Sequence, residues 1–200
     1  QAAAVLNLHE VKQLGYRDGE LDQADPEKVI QQLVSHLRRV RPQVVVTFDP
    51  NGAYGHPDHI AICQLTTASL VAAADCDYKS PGGEPPHRAA KLYYFVETEQ
   101  RLEAYEEAFG ELTIQVNGEE RTIVGWEPWA ITTRVDTGPY WQQVWEAISC
   151  HRSQLTGYQA LMDLPEQKRK ELFTTQSFYR AFSLVDGGSD PEKDFFAGLR

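Results

Sequence analysis

The chain has 200 residues, of which 42% are hydrophobic and 24% charged, and a formal net charge of −10. That length suits one domain with a core large enough for a deep pocket, while the acidic balance speaks against a nucleic-acid or anionic-membrane partner. No apolar run nears the roughly 18 residues of a membrane-crossing helix, and Cys63, Cys76 and Cys150 form no CxxC pair, which fits small buried hydrophobes in a reduced, cytoplasmic protein.

In chain order, Gln1–Leu8 reads as the end of a helix with no basic stretch ahead of it, so it is not a signal peptide. It has no starting Met, and the chain is expected to lack its beginning. Val11–Leu14 reads as a short strand closed by Gly15, and Gly15-Tyr16-Arg17-Asp18-Gly19 as a loop. Asp25 is placed to cap a helix with Pro26 at its first position. Val29, Ile30, Leu33, Leu37 and Val40 then recur at helical spacing until Pro42 stops the run. Val44-Val45-Val46-Thr47-Phe48 is a β-branched run, as in a strand covered on both faces of a parallel sheet. Asp49-Pro50-Asn51-Gly52 breaks it, and the next helix is expected from near Pro57-Asp58 through Ala74. Helix, strand, loop, helix is the rhythm of an α/β fold.

Ser80–Pro86 reads as a surface loop and Lys91–Val96 as another strand. Asn117-Gly118, between Thr113–Val116 and Arg121–Val124, signals a hairpin. Ile131–Val135 reads as a strand. Thr137 is placed to cap a helix whose Trp141, Val144, Trp145, Ile148 and His151 share a face. A helix at Pro165–Phe173, an aromatic-rich run Phe178–Phe182 and a loose turn at Gly187–Pro191 complete the chain, which shows no internal repeat.

The chemistry concentrates in Asp49–His59, where two His, two Asp, one Tyr, one Asn and two Gly fall within eleven residues. His56 and His59 are three apart at a helix start, so both imidazoles can face one volume. A neutral imidazole ligates zinc well, and the intervening carboxylate of Asp58 can fix a ring's tautomer. A bare HxxH is weak by itself, since loop histidines are often merely solvated. Its position after a strand, where α/β folds bind ligands, favours a site.

The string Thr47-Phe48-Asp49-Pro50-Asn51-Gly52-Ala53-Tyr54-Gly55-His56-Pro57-Asp58-His59 closely resembles the second signature of the LmbE-like (PIG-L) deacetylases, in particular the branch acting on mycothiol precursors and conjugates. The likeness extends to Leu14–Gly19 and to Ile131–Leu155. It implies a Rossmann-like α/β fold with a mostly parallel sheet flanked by helices, a hairpin-containing C-terminal extension, and one domain over residues 1–200. It implies zinc, or another divalent metal such as Fe2+, held by His59. By the same resemblance His56 stabilises the oxyanion and protonates the leaving amine, Asp58 tunes His56, and Tyr54 polarises the amide carbonyl. Arg17, Asp18 and Asn51 would bind the sugar. The family's first signature, His-Pro-Asp-Asp-Glu, is absent from these residues; His9-Glu10 lacks its context. An upstream segment on the order of 40 residues, with the first strand or strands and the remaining ligands, is therefore expected.

The implied activity is metal-dependent removal of an acetyl group from an N-acetylglucosamine-type conjugate, on a small-molecule substrate without nucleic acid or membrane, with a homo-oligomer possible. A same-family amidase or hydratase, and a truncated non-catalytic chain, are the alternatives. Blander roles are open for several residues: Arg17 and Asp18 as an ion-paired turn, His151 and Gln154 as helix-face packing, Trp141 and Trp145 as core, and His9, His36 and His87 as surface or structural groups; the loop placement of Trp126 and Trp129 instead suits a pocket rim.

Overall fold

A computed structural model describes residues 1–109, 113–116, 118–155, 159–185, 188 and 190–200. The elements run α1 (Ala2–Val5), α2 (Pro26–Val40), β1 (Val44–Phe48), the one-turn α3 (Gly52–Gly55), α4 (Pro57–Ala74), β2 (Lys91–Val96), α5 (Glu99–Phe109), β3 (Thr113–Val116), β4 (Glu119–Thr122), β5 (Thr133–Asp136), α6 (Trp141–Ser149), α7 (Arg152–Leu155), α8 (Gln159–Asp163), α9 (Glu166–Leu172) and β6 (Thr175–Ser183). Among the described residues no helix is long and apolar enough to cross a membrane.

The α/β class holds, but the main sheet is mixed rather than mostly parallel. Its order is β1-β2-β6-β5. β1 and β2 are parallel, whereas β6 runs antiparallel to both β2 and β5. Direction is set by the connection. The long α4 crossover returns β2 alongside β1, while β6 enters after a series of helices and threads between β2 and β5 in the opposite sense. β3 and β4 form a separate hairpin.

β1 is also less enclosed than its composition implies. Among the described residues it pairs only with β2, and Val46 is 45% exposed. The covered strand is β2, with Leu92 and Tyr93 wholly buried. The core joins Val34 and Leu37 of α2, Leu70 and Ala73 of α4, Ala89 and Leu92. Asp25 caps α2 by accepting from the Glu27 N–H at 3.1 Å, and Arg41, in the left-handed region at φ 55°, ends the helix. Arg38 crosses to α4 and donates to the carbonyls of Ala72, Ala73 and Asp75, satisfying the end of that helix.

Several local expectations are corrected. Val11–Leu14 forms no strand. The second hairpin strand is Glu119–Thr122, because a two-residue connection starts pairing directly after Gly118; Val116 faces Glu119. Thr137 does not cap α6: its hydroxyl donates to the Phe173 carbonyl at 2.7 Å, and a 3₁₀ turn over Gly138–Tyr140 intervenes. His151 is exposed rather than packed. Of the three cysteines only Cys63 is buried. Asn117, the side chain of Gln154, and positions 187 and 189 of the loose turn lie outside the described residues.

Candidate functional site

β1 delivers Asp49 at its carboxyl end, and this buried residue organises the turn beyond it. Its Oδ1 accepts from the Ala53 N–H at 2.8 Å, and its Oδ2 from Trp126 Nε1 at 2.8 Å. The chain then bends tightly, with Gly52 at φ 62° and Ala53 at φ 62°, ψ −72°. Glycine is required at 52: a Cβ there would lie 2.7 Å from Ile60 Cγ1 and 3.1 Å from the Ile60 nitrogen. Ala53 occupies the sparsely populated γ-turn region, a strain held in place by the Asp49 bond.

The turn sets three rings together. The His56 and His59 centroids are 4.6 Å apart, and Tyr54 meets them edge-on at 5.7 and 5.4 Å. His59 lies flat on Phe48, 3.8 Å away with an interplanar angle of 6°. Its Nδ1 is 3.2 Å from the Gly52 carbonyl, which can only accept. The proton is therefore on Nδ1, and Nε2 keeps its lone pair. Burial, followed by the neighbouring His56, pushes the His59 pKa down; the Gly52 bond and the charges of Asp58 and Asp18 oppose this. His56 caps α4, its Nδ1 accepting from the Asp58 N–H at 3.2 Å. That places its proton on Nε2.

Asp58 meets His56 through its backbone. Its carboxylate reaches the other way: Oδ2 accepts from the Gly19 N–H at 2.7 Å and Oδ1 from the Leu21 N–H at 2.9 Å. It thereby fastens the 15–23 loop to α4. Beside this clamp lies a cavity of about 470 Å³ lined by Leu14, Tyr16, Arg17, Asp18, Leu21 and Asp58. Arg17 is exposed and paired with Glu20 at 3.0 Å rather than with Asp18. Asn51 is exposed, and its side chain has no hydrogen-bond partner among the described residues. Trp126 packs on Tyr179, whereas Trp129 is 85% exposed.

One residue went unnoticed in the sequence. Arg121 of β4 donates from Nη1 to the Gly55 carbonyl at 2.9 Å, holding the residue before His56. Only its place three residues after Gly118 of the Asn-Gly turn, which decides the face of the hairpin, could have flagged it. The Asp49–Trp126 link was equally invisible.

His59 fits a metal ligand: it is neutral, anchored through Nδ1 and open at Nε2. Among the described residues no three His, Cys, Asp or Glu side chains form a metal-binding group.

Paired imidazoles beyond the carboxyl end of a strand stand where α/β proteins place their ligand sites. The family model PIG-L, GlcNAc-PI de-N-acetylase, matches residues 1–70. A mycothiol S-conjugate amidase of Streptomyces coelicolor is 30% identical over 94% of this chain and 70% of its own. A 1D-myo-inositol 2-acetamido-2-deoxy-alpha-D-glucopyranoside deacetylase of Thermobifida fusca is 33% identical over 78% of this chain and 59% of its own, so this chain spans little more than half of that relative. A conserved protein of Thermus thermophilus shares the fold, with a TM-score of 0.62 at 22% identity over 92% of this chain and 71% of its own. The chain belongs to the PIG-L family.

Proposed function

We propose that this chain works as a cytoplasmic, zinc-dependent N-deacetylase acting on the linear amide of an N-acetylglucosamine-type conjugate, with residues 1–200 forming one domain. The observation that carries the reading is the paired His56 and His59 rings at 4.6 Å, one with a free Nε2 lone pair and the other with a free Nε2–H. The deacetylase and amidase names of the relatives support it.

His59 would hold the metal through Nε2; the other ligands and the carboxylate base would come from the first signature, which these residues do not contain. Zinc, when bound, supplies an acidified water and a polarised acetyl carbonyl. His56 donates a hydrogen bond from Nε2 to the oxygen that gains charge on attack, and the departing amine would take the proton that the carboxylate base received from the water. Because its Nδ1 accepts the Asp58 N–H, His56 acts here as a neutral donor rather than as an imidazolium. Tyr54, edge-on to both rings, is the second donor. Asp58 positions the 15–23 loop, and through it Asp18 and Arg17, for the sugar; Asn51 offers its amide from the other side of the turn.

The amidase of Streptomyces coelicolor, aligned over 94% of the chain, favours one second reading: amide cleavage by the same site on another substrate, a mycothiol S-conjugate. Mass spectrometry of products from an N-acetylglucosaminyl-inositol and from a mycothiol S-conjugate separates the two. Acetate loss from the first supports deacetylation, cleavage of the second alone supports the amidase, and neither product from the metal-loaded full-length protein contradicts both.

A further inference from the structure

The registers Phe48–Phe95 and Val96–Ser177 put the start of β6 at the same end of the sheet as the histidine pair. There, toward the β5 edge, a cleft of about 610 Å³ opens between β5, β6, the first turn of α5 and α9. It shares no lining residue with the histidine site. Arg101 forms part of its wall and is already engaged, donating to the Thr175 carbonyl and the Tyr105 hydroxyl and pairing with Glu97. Arg134 and Ser177 stand opposite each other on paired strands. Neither side chain has a hydrogen bond or ion pair among the described residues, although Ser177 is only 7% exposed. Lys168 has only a loose pairing with Glu171, at 3.7 Å. The lining thus holds the cations Arg101, Arg134 and Lys168 against the single carboxylate of Glu171, in a chain of net charge −10. Leu164 and Leu172 supply an apolar wall.

We infer that this cleft binds a small organic anion through a carboxylate or phosphate group, with Arg134 and Lys168 meeting the charge, the Ser177 hydroxyl donating, and the ligand body resting on the leucines. A guanidinium beside a hydroxyl in a half-enclosed cleft is suited to a planar or tetrahedral oxyanion. The inference stands apart from the deacetylase reading, since none of its residues belongs to that site.

Isothermal titration of the protein with inorganic phosphate, phenyl phosphate and benzoate tests it, and the probe that binds identifies the anionic group. Saturable binding of at least one probe is expected, weakened at least about tenfold by Arg134→Gln and also weakened by Ser177→Ala and by added salt. Arg134 is exposed, so Arg134→Gln should keep the parent melting temperature and decides the matter even if Ser177→Ala fails to fold. No saturable binding of any probe, or binding that Arg134→Gln leaves unchanged, overturns the inference.

Discussion

His59 donates its Nδ1 proton to the Gly52 carbonyl and stacks on Phe48, and its pKa is pushed down first by burial and then by His56. In metal-free protein its folded pKa lies below the ordinary 6.5. As pH falls the unfolded chain therefore takes up that proton first. The stabilising contribution of the neutral ring is whole above 6.5 and is lost as pH falls from there through the folded pKa. In chelator-treated samples the melting temperature should drop from about pH 8 to about pH 5 more steeply for the parent than for His59→Gln. Parallel curves would mean that the ring titrates as it does in water. The residue types of the pair were legible because so few amino acids bind metals or move protons near neutrality. Their tautomers were not: each depends on one backbone group, the Gly52 carbonyl or the Asp58 N–H, that only the folded turn brings into range.

At the scale of elements, the joint between the 15–23 loop and α4 rests on Asp58, whose two oxygens accept the Gly19 and Leu21 N–H groups. Hydrogen bonds to a charged group contribute about 1.5–3 kcal/mol each when well formed. Asp58→Ala should therefore cost about 2–3 kcal/mol in denaturant unfolding, near the lower end because the Gly19 bond is exposed. Hydrogen exchange at residues 19 and 21 should rise, while the α4 interior stays protected. An unchanged exchange rate at those two amides would count against the clamp. Elements with local rules were readable: α2 from its Asp25-Pro26 start and 3.6 period, α4 from Pro57, β2 from its apolar, aromatic run. Others were not. α5 carries weak amphipathic signal in Glu99–Phe109, and β6 was seen only as an aromatic run because Thr175–Ser183 mixes polar and aromatic residues without a clean alternation. β5 and α6 were displaced by a few residues, since the 3₁₀ turn at Gly138–Tyr140 leaves no propensity signature.

At the scale of the whole molecule, the C-terminal stretch is tied to the sheet by a carboxylate. Glu192 accepts from Lys91 Nζ and Tyr93 Oη at 2.6 Å each and from Thr133 at 3.1 Å, and it is ion-paired with Arg180 at 2.7 Å. Its backbone joins the Thr132 carbonyl and the Arg134 N–H, and Phe195 packs on Tyr93 and Phe178. Burial alone raises its pKa, but the bonds from Lys91, Tyr93, Arg180 and Thr133 outweigh burial and hold it below the ordinary value. Glu192→Ala would leave a fully buried Lys91 ammonium without its carboxylate. A loss on the order of 3–5 kcal/mol is expected in chemical denaturation; a loss under about 1 kcal/mol would show the network to be redundant. Nothing local announces Glu192, because its buried partners Lys91 and Tyr93 are 101 and 99 residues away. The mixed sheet escaped the sequence for a related reason: strand direction is decided by how β6 returns to the sheet, while the parallel β1–β2 unit was readable from the α4 crossover.

In the proposed reaction His59 binds the metal while His56 serves the developing oxyanion. This division of roles is tested most directly by acetate release from an N-acetylglucosaminyl-inositol by full-length protein, alongside zinc content, for the parent, His59→Ala and His56→Ala. The expected result is zinc-dependent release by the parent and loss of both zinc and activity in His59→Ala. His56→Ala should keep its zinc with a rate lower by about 10²–10³. Release that persists in His59→Ala without zinc, or that His56→Ala leaves intact, contradicts it.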